Sequence, residues 1–378
     1  MTTSNTPLVS VVIPAYNAER IIGKTLESIL LQTYPHFEVL VVDDGSTDGT
    51  ADIIKSFAVH DSRFQLLQKT NGGVATARNM AIRNASGEFI APCDSDDVWY
   101  PDRLKAQVEC MMQSDESVGL VYCWSKIIDE DDQPIVDITH SYEGRVFADL
   151  VYSNFLGNGS CALIRRSCFD AVGEYNGATT PCEEWDLYIR VAERYEVRLI
   201  PTILVGYREV LTSLSANHYR MEGAFASLLR EIRNRHPQIP SSILRVAKGS
   251  YYLYLTGKSN RRSRYGTSLR YLGVCLFSDP LRLLSSEFHS TLAKAIVRFL
   301  AHPVTSRIWK DDRMWRTMRR KLHVPVATQE SNEAEKEKTS ATETPLRLFD
   351  RLHNSRMKRF RDEANAVLTA DRQQAHGK

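Results

Sequence analysis

The 378-residue sequence contains no C-x-x-C pair, no apolar run long enough to cross a bilayer, no internal repeat, and no G-x-G-x-x-G turn after its first strand-like run. Each absence removes a class of protein. The seven cysteines (93, 110, 123, 161, 168, 182 and 275) are odd in number, scattered, and without metal-ligand spacing to histidine. They read as reduced thiols in a reducing compartment, not as a disulfide framework or a zinc site. A spanning helix needs about 20 consecutive apolar residues, so none is expected. The opening MTTSNTPLVSVVIPAYN is polar and then strand-like, with neither a basic n-region nor a cleavage site. No signal peptide is expected, and the expected location is cytoplasmic. Where a dinucleotide turn would follow the first strand the chain reads PAYNAERIIG, which argues against a nicotinamide dehydrogenase.

What is present is globular material divided by charge. Hydrophobic residues make up 43% and charged residues 25%, enough for one α/β core and a second region. Residues 1–220 carry 18 Lys+Arg against 31 Asp+Glu, a net of −13, whereas residues 221–325 carry 20 against 6, a net of +14. The last 53 residues are nearly neutral. Such asymmetry predicts regions with different partners. The basic segment contains no nucleic-acid-binding motif, so no nucleic-acid partner is expected.

Residues 9–14 (VSVVIP) form a β-branched run ended by proline, the pattern of a buried strand. A helix is expected over 19–32, a strand over 37–42, a helix over 48–57, a strand over 64–68, a helix over 75–84 and a strand over 88–91. This alternation predicts a mostly parallel sheet covered on both faces. Beyond residue 118 the pattern loosens, with strands expected over 119–125, 162–164 and 198–205 and a helix over 186–194. Residues 221–322 read as helix throughout. The stretch at 326–345, rich in Glu, Lys, Ser and Thr, reads as a flexible linker. Residues 346–378 read as a C-terminal helix and tail.

In open α/β sheets ligands bind beyond the carboxyl ends of the strands. Three polar clusters fall there: Pro14-Ala15-Tyr16-Asn17, Asp43-Asp44-Gly45-Ser46 and Asp94-Ser95-Asp96-Asp97. Tyr16 is suited to stack on a flat base, and Asp44 to accept a hydrogen bond from a base N–H. So acidic a rim repels phosphates unless a cation is present, and the Asp94–Asp97 loop offers the hard oxygens that suit Mg²⁺ or Mn²⁺. A calcium loop fits neither aspartate run. The one from Asp94 lacks glycine at its sixth position, and the one from Asp44 ends on Lys55.

Three ordered segments, VSVVIPAYNAERIIGKTLESILLQTYPHFEVLVVDDGSTDGT, NGGVATARN and GEFIAPCDSDDVWYPDRL, together resemble the family 2 glycosyltransferases over about residues 9–210. The resemblance implies a GT-A fold (α/β, Rossmann-like) over residues 1–220, followed by the basic helical region at 221–325. It implies an inverting transfer of a sugar from a nucleoside-diphosphate sugar to an acceptor hydroxyl of a saccharide or lipid-linked saccharide, in surface polysaccharide or glycan synthesis. Pro14, Tyr16 and Asp44 would contact the nucleotide. Asp94 and Asp96 would be the D-x-D pair, with Asp96 the direct metal ligand. Asp97, Arg103 and the Gly72-Gly73 turn would support them, and Arg78 is either a phosphate neighbour or a surface helix residue. Family members carry an acidic dipeptide, usually Glu-Asp, on or before a helix facing the acceptor. Here the segment reads Cys182-Glu183-Glu184-Trp185-Asp186, so Glu184 stands where the catalytic aspartate usually does, with Asp186 as the other candidate base. That departure keeps a non-catalytic nucleotide- or sugar-binding relative as the alternative. Trp185 is a possible sugar platform, whereas Trp99 and Trp124 read as core, and Tyr207-Arg208 resembles the strand-end element near the acceptor.

The basic segment carries one more expectation. Residues 269–284 (LRYLGVCLFSDPLRLL) are too interrupted to span a bilayer but could lie in an anionic membrane surface with their arginines toward the headgroups. The competing reading is an ordinary helical subdomain with a solvated basic face.

Overall fold

A computed structural model describes residues 6–209, 217–261, 264–308 and 345–376. The expected linker therefore lies, but for its last residue, outside the described residues. So do residues 309–325 of the basic segment.

The first unit is built on a nine-stranded sheet. Strand β1 (Val9–Ala15) lies between β2 (Phe37–Asp43) and β4 (Phe89–Pro92), and β3 (Phe64–Gln68) pairs with the far side of β2. All these pairs are parallel, as the alternating pattern predicts. The sheet then becomes mixed. β8 (Ala162–Arg165) runs antiparallel to both β4 and β6 (Val118–Ile128). β9 (Glu196–Arg208) is parallel to β6 and antiparallel to the short β5 (Val98–Trp99), and β7 (Pro134–Ile138) hairpins onto β6.

Helices cover this sheet: α1 (Ile22–Leu30), α2 (Thr50–His60), α3 (Val74–Asn84), α4 (Arg103–Gln113), α5 (Phe147–Tyr152), α6 (Arg166–Val172), α7 (Glu183–Ala192) and α8 (His218–Arg235). In α1 the residues Ile22, Leu26 and Ile29 recur at helical spacing and are wholly buried. Each is worth about 1.5–3 kcal/mol of burial. The helix starts three residues later than periodicity suggests because Glu19 is engaged elsewhere. Its carboxylate accepts from Gly49 N at 3.1 Å, and its own N–H donates to Asp48. Both contacts fasten the loop that opens α2.

The chain divides into two compact units, one covering residues up to 150 and 154–235, the other 151–153 and 236 onward. In the second unit α9 (Ser241–Arg261), α10 (Tyr265–Ser278) and α11 (Ser286–Ile308) enclose a small core of Leu253, Cys275 and Phe288. The final helix is α12 (Pro345–His376). Arg282, expected to face lipid headgroups, turns inward instead. It is wholly buried and donates to Tyr152 and to Glu287 at 2.8 Å. A cation so partnered has no reason to seek solvent. Among the described residues no helix is long and apolar enough to cross a membrane, and all seven cysteines are free.

Candidate active site

The register of β1, β2 and β4 brings all three polar clusters to one edge. Ala15 pairs with Asp43, and Val12 with Pro92. Pro14 is buried within β1, while Tyr16 just beyond it is 52% exposed, an aromatic face open to solvent. Asn17, at φ 48°, accepts from Thr47 N at 2.9 Å and so ties the first cluster to the second. Asp44 is buried and already engaged: Oδ1 accepts from Lys69 Nζ at 2.5 Å and Gly72 N at 2.9 Å, and Oδ2 from Gly73 N at 2.7 Å. It fastens the 69–73 loop, leaving Oδ2 one lone pair for a further donor.

Gly45 closes that arrangement at φ +78°, where a Cβ would lie 2.9 Å from Asn71 N and 3.3 Å from Lys69 O. Gly45→Ala should therefore lower unfolding stability by about 1–3 kcal/mol, from strain and a backbone clash. The urea midpoint reads this directly, and an unchanged midpoint would show that the 69–72 loop yields freely.

The Asp94–Asp97 loop leaves β4 and is braced from several sides. Ser160 Oγ accepts from Asp94 N at 2.9 Å and donates to Asp97. Asp97 is wholly buried and also accepts from Arg208 N at 3.0 Å. Arg208, itself buried, donates to Asp96 O at 2.9 Å and to the β6–β7 turn through Asp129 O and Asp132. Thr25 Oγ1 holds Ser95 O at 2.9 Å. Arg103, stacked 3.5 Å over Trp99, donates to Ser160 O and Ala162 O. Asp97, Arg103 and Arg208 thus support the loop and do not face it.

Asp94 and Asp96 are the two carboxylates left at its surface. Asp94 is bound by Arg78. No side chain among the described residues donates to the Asp96 carboxylate, and burial with Asp94 alongside pushes its carboxyl up to about 7. Two hard carboxylates, one without a side-chain donor and disfavoured in its charged form, fit Mg²⁺ or Mn²⁺, which bind through one or two carboxylates and complete their shells with phosphate and water. Among the described residues no group of three or more His, Cys, Asp or Glu forms a metal cage.

Arg78 lies on α3 with its side chain 2% exposed, so the surface-helix reading fails. Nη1 donates to Glu183 at 2.8 Å, and Nη2 to both Asp94 and Glu184. Glu183, Glu184 and Asp186 all fall in the first turn of α7, where the helix dipole favours acids. Their surroundings separate them. Glu183 is buried. Asp186 is wholly buried and held by Arg190 at 2.9 Å and by Arg235 of α8 at 3.1 Å. Glu184 keeps 18% of its side chain exposed. Burial pushes its carboxyl up to about 8; Arg78 pulls it down, while Asp94 and Glu183 push it further up. Gly159 leaves it room, since a Cβ there would lie 2.5 Å from Glu184 Oε1. Trp185, offered above as a sugar platform, is buried against Phe225, with its indole N–H on Leu150 O.

The structure thus brings Asp94, Asp96, Glu184 and Arg78 together, with Tyr16 and Asp44 on the same edge, and seals Asp186 away. The sequence reading missed Glu183, Ser160 and Gly159 as parts of the site. The glycine- and serine-bearing GNGSC before β8 is the only local trace of the last two.

Comparison with known proteins agrees with this architecture. Residues 10–173 match glycosyl transferase family 2. TuaG of Bacillus subtilis, named as a teichuronic acid biosynthesis glycosyltransferase, is 37% identical over 231 residues, covering 61% of this chain and 90% of its own. WfgD of Escherichia coli, named as a UDP-Glc:alpha-D-GlcNAc-diphosphoundecaprenol beta-1,3-glucosyltransferase, is 44% identical over 111 residues, 29% of this chain and 43% of its own. The crystal structure of S. aureus TarS 1–349 in complex with UDP-GlcNAc superposes with a TM-score of 0.53 at 18% identity, covering 79% of this chain and 91% of that one, a likeness of fold alone. With the motifs in order, the sheet edge assembled and a relative matched along nine-tenths of its length, the chain belongs to glycosyl transferase family 2, a GT-A fold followed by a helical C-terminal region.

Proposed function

We propose that this glycosyltransferase inverts the anomeric centre of a nucleoside-diphosphate sugar, with Glu184 as the base and Asp94 and Asp96 as the metal-holding pair. The observation that carries the reading is the contrast within one helical turn. Glu184 keeps part of its side chain exposed beside the aspartate loop, while Asp186 is sealed between two arginines. A base must reach its substrate before its pKa matters.

In the reaction the acceptor hydroxyl oxygen attacks the anomeric carbon and its proton passes to a Glu184 carboxylate oxygen. The bond from that carbon to the diphosphate oxygen breaks, and the electron pair leaves with the diphosphate. One displacement from the opposite face inverts the centre. Tyr16 stacks on the nucleobase and Asp44, through its remaining lone pair, meets a base N–H. A bound Mg²⁺ or Mn²⁺ would neutralise the departing diphosphate as a Lewis acid. The acceptor is a saccharide or lipid-linked saccharide in surface polysaccharide synthesis, a reading supported by the names of TuaG and WfgD. A screen of UDP-, GDP-, dTDP- and CMP-sugars for metal-dependent nucleotide release tests the assignment. No release from any donor, with a saccharide acceptor mixture present, would favour a binding protein.

The basic region at 221–325 is proposed to rest on an anionic membrane surface. On α10 the exposed positions include Leu269, Arg270 and Phe277, and Leu281 and Leu283 follow. Phe277 is 91% exposed. Because Arg282 is internal, the exposed Arg245, Arg264, Arg270 and Lys294 supply the charge, and the apolar side chains the insertion. Each basic residue near such a surface is worth about 1 kcal/mol. In liposome flotation the protein should float with anionic vesicles at low salt and release at high salt. Protein unbound at low salt, or bound equally to neutral vesicles, rules the anchor out.

A further inference from the structure

Resting on the assignment of Glu184 as the base, we infer that Arg78 is a positioning residue that fixes the base relative to the metal-holding loop, and not a contact for the donor phosphates. Its Nη2 nitrogen carries two N–H groups, and they are shared between Asp94 and Glu184. One planar nitrogen thereby sets the spacing of two carboxylates that lie 16 and 106 residues away in the chain. The other arm holds Glu183, so the guanidinium cannot rotate without losing a second ion pair. Its face lies 5.2 Å from the Tyr175 ring. The neighbouring Asn79 clamps the Tyr175 backbone through both its amide groups, each at 2.9 Å. Helix α3 is thus pinned to the segment that leads into α7.

Two alternatives account for less. With 2% of its side chain exposed and both Nη nitrogens on carboxylates, Arg78 presents little to a phosphate, and its unpartnered Nε is buried. Nor is the cluster arranged for stability. One cation faces three carboxylates, and even a balanced buried ion pair is a weak source of folding energy. Arginine's rigid fork, which lysine lacks, is the property the geometry uses.

The test is a double-mutant cycle, assayed with whichever sugar nucleotide scores in the release screen. Arg78→Lys keeps the charge but replaces the fork by one point donor. It should lower kcat about 100-fold through misplacement of the base, with donor KM changed less than about threefold and Tm nearly unchanged. In a Glu184→Gln background the same substitution should cost nothing further, because there is no base left to place. An equal loss in both backgrounds, or a rise in donor KM that accounts for the whole loss, overturns the inference. If Arg78→Lys does not fold, Glu183→Gln removes only the arm that stops the guanidinium rotating. It should lower kcat about tenfold, again without effect in the Glu184→Gln background, and unchanged kcat would overturn the inference. A fully active Glu184→Gln enzyme would instead sink the base assignment, so the two failures are distinguishable.

Discussion

Asp96→Ala is expected to lower transfer by at least about 100-fold while leaving the protein folded. The magnitude follows from losing a cation that supplies several kcal/mol of charge stabilisation as the diphosphate departs. The intact fold follows from how the loop is held. Its braces run through Ser95 O, Asp96 O, Asp97 and Asp94 N, and none uses the Asp96 carboxylate. Removing that carboxylate relieves repulsion with Asp94, so Tm measured without metal should hold or rise. Asp97→Asn, by contrast, disturbs a buried acceptor of Ser160 and Arg208 and should lower Tm. Wild-type rates that survive an excess of chelator would defeat the metal assignment outright.

Glu184→Gln is expected to lower transfer by about two to four orders of magnitude, because the amide keeps the size and the hydrogen bond to Arg78 but cannot take a proton. Donor affinity should barely change. The pH profile gives an independent reading. Glu184 must be deprotonated to act, and its carboxyl is pushed up to about 8, so wild-type kcat/KM should rise with pH and level off above about 8. That rising limb should vanish from the residual activity of Glu184→Gln. Asp186→Asn is the control. It removes the carboxylate that Arg190 and Arg235 share, leaving Arg235 only Glu193, and should act through Tm. If Glu184→Gln transfers normally while a folded Asp186→Asn is dead, the two roles are exchanged.

The half of the fold that was legible in the chain is the half built on parallel strands, of which β1 and β2 are buried on both faces. Residues 9–14, 37–42 and 64–68 are β-branched or leucine-rich runs between helical periods, and they became β1, β2 and β3 within one residue of the expected ends. The opposite half was read only in fragments. β5 is two residues long and leaves no periodic signal, whereas α4 carries one, in Leu104, Val108 and Met111, that was not drawn on. Helix α7 begins three residues before the expected 186, because Glu183, Glu184 and Asp186 make up its first turn.

By itself the sequence determined the alternation of strand and helix, the three polar clusters after strands, and the absence of any helix pattern able to cross a membrane. These are local properties, written in periodicity and in residue type. Only the tertiary structure left Glu184 partly exposed while sealing Asp186 between two arginines, buried Arg78 among carboxylates, and turned Arg282 inward. Those outcomes depend on which groups meet across about 100 residues of chain. A charge's role follows from its partners and its burial, and neither is encoded near the residue itself.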